Sequence, residues 1–367
     1  MATKFVAARA YICDIPVETP RFDAIQSFES QETIVVELQT DDGTEGRGYA
    51  YTIGTGGTAV LELLHTRLLD VATALSPHRA EAIWTAMFNA THSTMVGPIT
   101  TLAMAAVDTA VWDIQCRLAN EPLWQRAGGA QGSLEIYETE GGWLNLSISE
   151  LVDNARSAKM RGFAGFKLKI GKPRLSEDIE RVASVRDALG PDLALMVDAN
   201  QRFTIDEAVR WARALEPFDL TWLEEPLPAD DVRGHAILAT ATSIPIAVGE
   251  SLYSLAQFKE YLVMKAASVL QPDVARIGGI TPWLKVAHLA EAYNLHVAPH
   301  FLMELHVSLA AGIPNGRWVE WIPQLRPLTR TGLEVSAGRV EAPMAPGLGI
   351  EWSQEALKSH QRGANHS

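Results

Sequence analysis

The sequence predicts an α/β fold, a (β/α)8-type barrel with a modified final unit, preceded by an α+β unit. Three observations lead there. From about Leu134 short apolar runs alternate with amphipathic segments, eight runs fall in under 200 residues, and several of those runs end in an ionisable residue. The chain of 367 residues, 47% hydrophobic and 20% charged, is long enough for such a core plus a second unit.

The first hundred-odd residues have a different rhythm. "ETIVVELQTDDGTEGRGYAY" alternates apolar and polar residues about Asp42-Gly43, a hairpin signal. "TAVLELLHTRLLDVATAL", "HRAEAIWTAMFNA" and "TTLAMAAVDTAVWDIQCRLA" then repeat apolar residues at helical spacing. Residues 1–130 are therefore expected to form sheet followed by helices. Residues 131–330 are expected to form the barrel, with strands "LEIYET", "FKLKI", "LALMVDAN", "LTWLEEP", "IPIAVGE", "SVLQPD", "HVAPH" and "WVEW". Helices such as "SEDIERVASVRDAL", "IDEAVRWARAL", "SLAQFKEYLVM" and "TPWLKVAHLAEAY" lie between them. Residues 331–367 are expected to return to the N-terminal unit.

Net charge of -13 and a mere 31 Lys and Arg argue against a nucleic-acid partner and favour a small molecule. No apolar run approaches the roughly 20 residues of a membrane helix, and the N-terminus lacks the pattern of a signal peptide, so no membrane partner and a cytoplasmic location are expected. Cys13 and Cys116 have no metal-ligand spacing and read as buried small hydrophobes.

Chemistry in such a barrel sits at the C-terminal ends of the strands. Asp198 in "LMVDAN", Glu224 in "TWLEEP" and Glu250 in "AVGES" follow one another at intervals of 26 residues, one β/α unit each. Three acids on one rim repel unless a cation joins them, and a hard divalent ion such as Mg²⁺ suits carboxylate oxygens. The competing reading makes each acid the cap of the helix that follows. Glu225 competes with Glu224, and the sequence does not say which of the two faces inward. Asn200, two residues after Asp198, shares its face and is a candidate for the metal's water or the substrate.

Farther round the rim stand Asp273 in "LQPD", His300 in "VAPHF" and Glu320 in "WVEW". Asp273 and His300 suggest a dyad in which a carboxylate fixes the imidazole tautomer; His296 and His306 read as core residues. Lys167 and Lys169, two apart in "GFKLKIG", point to the same side of their strand and so toward the acids. A neighbouring ammonium and a nearby cation both disfavour protonation, so one lysine is expected to serve as a base while the other stays charged and holds a carboxylate. A lysine base, a divalent metal and a protonated Glu320 donating a hydrogen bond together suit removal of the proton α to a carboxylate. The expected partner is thus a small-molecule carboxylate.

The set "KLK", "VDAN", "WLEEP", "GES", "QPD" with "GG", "PH" and a late "VEW" resembles the enolase superfamily, in particular its mandelate racemase subgroup. The resemblance spans nearly the whole chain. It implies a (β/α)7β barrel under an α+β capping domain with active-site loops near residues 18–30 and 51–60, and a symmetric homo-oligomer. It also implies Asp198, Glu224 and Glu250 as Mg²⁺ ligands, Lys169 as base, Lys167 as its carboxylate-binding neighbour, His300 with Asp273 as a second acid/base, and Glu320 as hydrogen-bond donor.

Longer stretches, among them "YETEGGWL" and "QPDVARIGGITPWLK", look most like acid-sugar dehydratases of the talarate and galactarate type. That likeness implies elimination of water from an aldarate to a 2-keto-3-deoxy acid. Racemisation or epimerisation of an α-hydroxy acid, and cycloisomerisation of an acid sugar, use the same residues. A non-catalytic sugar-acid binding barrel would need the acids but not the lysine and histidine. Thr139, Glu140, Asn200 and Arg202 would suit a polyhydroxylated substrate, and Arg21 in "VETPRFD" is either a partner for a distal carboxylate or a surface arginine. "GTGGTA" at 54–59 has the form of a dinucleotide loop, but no acid ends a strand about 20 residues later, so it is expected to be an active-site loop. No two histidines stand two apart, which argues against an amidohydrolase barrel.

Overall fold

The structure, a computed structural model, describes residues 3–94, 96–330 and 332–363, apart from the side chains of Glu18 and Thr19 in the stretch that precedes Arg21. Three antiparallel strands open the chain: β1 (Phe5–Phe22), β2 (Ser27–Thr40) and β3 (Glu45–Thr52), with β2 between the others. Gly43, at φ 86°, turns β2 into β3 where the Asp42-Gly43 pair predicts it. The loop expected near 18–30 is instead mostly strand. Only 23–26 form its turn, held by Asp23 Oδ1, which accepts from the N–H groups of Ile25 and Gln26 at 2.8 Å.

Helical segments run from Gly57 to Thr73, Ala80 to Ala90 and Pro98 to Ala119. The last lies under the sheet at backbone contact. A Cβ on Gly48 would stand 2.3 Å from Ala106 O and from Ala110 N, so this position of β3 excludes any side chain. Tyr49 N–H donates to Thr109 Oγ1 and Arg47 N–H to Asp113 Oδ2 across the same seam. On its other side the helix is fixed to the barrel by Asp108, which accepts from Thr281 N–H at 2.9 Å and Thr281 Oγ1 at 2.7 Å.

Eight parallel strands follow: β4 (Ser133–Glu138), β5 (Gly165–Lys169), β6 (Ala194–Asp198), β7 (Trp222–Glu224), β8 (Ile246–Val248), β9 (Val269–Leu270), β10 (His296–Val297) and β11 (Trp318–Trp321). They hydrogen-bond in order; β11 pairs with β4, and a bridge from Val297 to Gly316 closes the ring. One main helix lies between each strand and the next, seven among the described residues, which makes the barrel (β/α)7β. Helix starts are set by side-chain caps. Ser147, Thr204 and Ser254 each accept the N–H of the residue three on, and Glu150, Glu207 and Gln257 return a bond to the cap.

After β11 no eighth helix packs on the barrel among the described residues. The chain forms β12 (Val335–Ser336) and β13 (Arg339–Glu341), which pairs antiparallel with β4, before the helix Gln354–His360 crosses to β1. Arg362 then pairs with Asp14 of β1 and, at 2.6 Å, with Glu32 of β2. Inside the barrel, Tyr137, Met196, Trp222, Ala247, Ala298 and Trp318 form an apolar floor beneath the charged rim.

Gly48→Ala is expected to destabilise the fold by about 1–3 kcal/mol, because β3 and the Pro98–Ala119 helix must separate. Chemical denaturation of the variant tests this; unchanged stability would mean the seam is looser than described.

Candidate active site

Strand register sets the site. Lys169 of β5 is level with Asp198 of β6, and Asp198 with Glu224 of β7, while Glu250 follows β8 after Gly249. Oxygens of Asp198, Glu224 and Glu250 all lie within 4.8 Å of one another. The capping alternative does not apply, since the three following helices are capped by Thr204, Asp231 and Ser254. Glu225, at φ 37°, turns away and accepts from Gln201 Nε2 at 2.9 Å and Ser251 Oγ at 3.2 Å.

Both lysines point into this cluster. Lys167, 1% exposed, has Nζ at 2.7 Å from Glu224 Oε1 and 2.7 Å from Glu320 Oε1. Lys169 bonds Asp198 and sits over the Trp143 ring. Burial acts to lower both lysine pKa values, but the touching carboxylates outweigh it and raise both above the usual range. In this arrangement the direct ion pairs outweigh the repulsion between the two ammoniums.

The acids respond in opposite directions. Burial opposes ionisation of Asp198, yet Lys169 and Lys167 hold it at about 2. Glu224 is pushed up, to about 8, by burial and by Asp198 against the pull of Lys167, and its Oε2 accepts from Trp222 Nε1 and Gln271 Nε2. Burial pushes the Glu320 pKa up, but Lys167 and His300 outweigh it and lower it, and the carboxylate accepts from Thr139 Oγ1 at 2.9 Å and Phe301 N–H at 2.8 Å.

His300 Nδ1 lies 3.0 Å from Asp273 Oδ2, and Nε2 lies 3.4 Å from Glu250 Oε2. Burial raises the Asp273 pKa, but His300 and Arg276 outweigh it and hold it at about 2. Burial lowers the His300 pKa, but Glu250 and the bond to Asp273 outweigh it and raise it. Tyr51 Oη donates to Asp273 Oδ2 at 2.7 Å, a contact no sequence signal announced beyond the 51–60 loop expectation. His306 is a satisfied core residue: Nδ1 faces Phe301 O and Nε2 accepts from Val274 N–H. His296 is not, being exposed.

One cleft is lined by Lys169, Glu250, His300, Asn200, Trp143 and Arg21, among others. Asn200, at φ 43°, donates its N–H to Asp198 Oδ1, and its buried Oδ1 has no hydrogen-bond partner among the described residues. Thr139 is engaged by Glu320. Arg21 is largely buried and pairs with Glu140 at 2.8 Å, so it is not a surface arginine. Arg202 is exposed and outside the cleft. Two successive positive φ values, at Asn200 and Gln201, turn the chain so that Arg202 does not continue the inward face. Three carboxylates from adjacent strands form an oxygen-only donor set that fits a hard divalent cation.

Residues 150–356 match the enolase C-terminal domain-like family. Residues 7–128 match the N-terminal domain of the mandelate racemase / muconate lactonizing enzyme family. The chain belongs to the mandelate racemase / muconate lactonizing enzyme family. It is 36% identical to an L-talarate/galactarate dehydratase of Salmonella typhimurium over 351 residues, 94% of this chain and 88% of that protein. Over 345 residues it is 37% identical to a 3,6-anhydro-alpha-L-galactonate cycloisomerase of Streptomyces coelicolor, covering 94% and 95% of the two chains. The crystal structure of the Salmonella dehydratase with Mg and L-lyxarohydroxamate superposes with a TM-score of 0.95 at 33% identity, covering 99% of this chain and 94% of that one.

The core histidine makes a pH prediction for this family member. Burial lowers the His306 pKa from 6.5 to about 4, so the neutral ring contributes stability that is complete above pH 6.5 and is lost as pH falls toward 4. Relative to His306→Asn, the wild type should lose about 2 kcal/mol between pH 7.5 and pH 5. Denaturation curves of both proteins at the two pH values check this, and a constant gap would refute it.

Proposed function

We propose that this chain is a Mg²⁺-dependent acid-sugar dehydratase that converts an aldarate such as galactarate or L-talarate to a 2-keto-3-deoxy acid. The observation that carries it is one cleft lined by Lys169, Glu250 and His300, with Asp198 and Glu224 oxygens within 4.8 Å of Glu250 and Asp273 bonded behind His300 at 3.0 Å. The likeness to a named dehydratase over nearly the whole chain supports the reading.

Asp198, Glu224 and Glu250 would hold the ion. When bound, Mg²⁺ supplies positive charge opposite the substrate carboxylate, whose oxygens gain negative charge as the α-proton leaves. Lys169, once its own proton is released, takes that α-proton at Nζ. His300 donates the Nε2 proton to the β-hydroxyl, which departs as water while the C–C double bond forms, and the enol then tautomerises to the ketone. Asp273, ionised and bonded to Nδ1, fixes the ring and favours its protonated form before the transfer. Lys167 keeps Glu224 and Glu320 in place from below, and Asn200 offers its free Oδ1 to a substrate hydroxyl. On the family resemblance, the working unit is a cytoplasmic homo-oligomer.

Cycloisomerisation is the second reading, favoured by the Streptomyces relative, because a base and an acid flanking one substrate also serve that reaction. The test is incubation of aldarates with Mg²⁺ in D₂O, followed by NMR. Keto-deoxy product from galactarate or L-talarate supports dehydration; deuterium at the α-carbon without elimination would point to a racemase or epimerase, and a new isomer to cycloisomerisation.

Lys169→Ala should lower turnover by about 10²- to 10⁴-fold, as expected for loss of a positioned base. Full turnover in the variant would remove Lys169 from this role. Glu224→Gln should weaken Mg²⁺ binding measured by calorimetry, and wild-type affinity would move the ion elsewhere.

A further inference from the structure

Beside the reaction cleft lies a second polar pocket lined by Arg21, Glu140, Gln324, Arg326, Gln31 and residues 15–17 of β1. The two spaces adjoin, because Arg21 lines both. The segment after β11 also serves both: Ile322 faces the cleft, whereas Gln324 and Arg326 face the second pocket. The boundary between them is the Arg21–Glu140 ion pair, with the guanidinium 5.9 Å from the Trp143 ring centre.

Two features of this pocket have no structural use. Gln324 is 4% exposed, and neither its Nε2 nor its Oε1 has a hydrogen-bond partner among the described residues. An amide so buried costs about 1–3 kcal/mol for each unsatisfied group, which a polar ligand would offset. Arg326 is exposed and forms no ion pair with any described residue. Two arginines against one glutamate leave the pocket with a local positive charge on a chain whose net charge is -13. Guanidinium groups recognise planar carboxylates through paired N–H donors.

We infer that this pocket binds the distal carboxylate of the substrate, with Arg326 and Arg21 as charge partners and the Gln324 amide as the partner of the adjoining hydroxyl, so that it selects dicarboxylic over monocarboxylic acid sugars. The inference rests on the acid-sugar reading above. On that reading the reacting carboxylate would sit by Glu250, Lys169 and His300 in the cleft, with the rest of the chain directed toward Arg21, the residue that lines both spaces. Glu140 holds Arg21 at 2.8 Å, and the side chains of Gln324 and Arg326 line the same pocket with no protein partner of their own among the described residues.

The test compares kcat/KM for galactarate with kcat/KM for galactonate, its monocarboxylate counterpart, in the wild type and in R326Q, R326K and Q324L. R326Q should lower the galactarate-to-galactonate ratio by about 10- to 100-fold, mainly through KM for galactarate, and R326K should restore part of it. Q324L should lower the same ratio. A wild-type ratio in R326Q, or equal losses on both substrates, overturns the pocket while leaving the dehydratase reading in place. If the wild type turns over galactonate but no aldarate, dicarboxylate selection fails; if it turns over neither, the acid-sugar reading fails with it. Arg326 is exposed, so folding does not confound its variants, and thermal unfolding of Q324L checks that the buried substitution leaves the protein folded.

Discussion

The constraint on which this structure depends is that five acids, Asp198, Glu224, Glu250, Asp273 and Glu320, share one end of a barrel whose strands are only two to six residues long. Neighbouring strands are ~4.8 Å apart, so in-register carboxylates cannot avoid each other. At an effective dielectric near 20, two like charges ~4 Å apart repel by about 4 kcal/mol. The protein answers with ammoniums on the adjacent strand, with neutral donors such as Trp222 and Gln271, and with opposed protonation tendencies in Asp198 and Glu224. Such an assembly is stable only with its partners in place, which also makes it ready to exchange an ammonium contact for a divalent cation.

The N-terminal sheet does more than cover this cluster. Gly48 brings β3 against the Pro98–Ala119 helix, Asp108 fixes that helix to Thr281, and β3 thereby delivers Tyr51 to Asp273. The hydroxyl of Tyr51 and the imidazole of His300 share one carboxylate oxygen, so the orientation of the histidine depends on how the sheet is seated. Arg362 adds a second tie: it binds Glu32, whose carboxylate holds Thr52 and the Gly57 N–H on the segment just beyond Tyr51. Packing in the capping region is thus connected to the His300–Asp273 pair in the barrel through a short series of named contacts.

Much of this was legible in the sequence, and the failures have physical causes. All eight barrel strands were visible as apolar runs, because parallel strands buried on both faces have little polar alternation. β9 and β10 are shorter than their runs, since Pro272 and Pro299 end the ladder. The helix Met303–Gly312 was not singled out: it is buried on every side and shows no amphipathic period. The helix Ile148–Met160 carries a sequence signal in the Ser147 and Glu150 capping box. Glu320 and the lysines show what spacing cannot supply. Their protonation depends on contacts between residues as far apart in sequence as Lys167 and Glu320, and Tyr51 and Arg21 likewise reach partners on distant elements.

The two lysines illustrate how one strand divides labour by depth. Alternation places Lys167 and Lys169 on the same face, and two residues of rise separate them by about 6–7 Å along the barrel axis. The deeper ammonium lies beside Tyr137 and bridges Glu224 and Glu320, where an uncompensated charge would be most costly. The upper ammonium reaches the rim, borders the cleft and meets Asp198 alone among the acids. Lys167 therefore cannot leave its site without exposing two carboxylates to each other, whereas Lys169 gives up one contact and faces the space a substrate would enter. Spacing alone treats the pair as equivalent; their contacts make Lys167 part of the foundation and put Lys169 at the wall of the cleft.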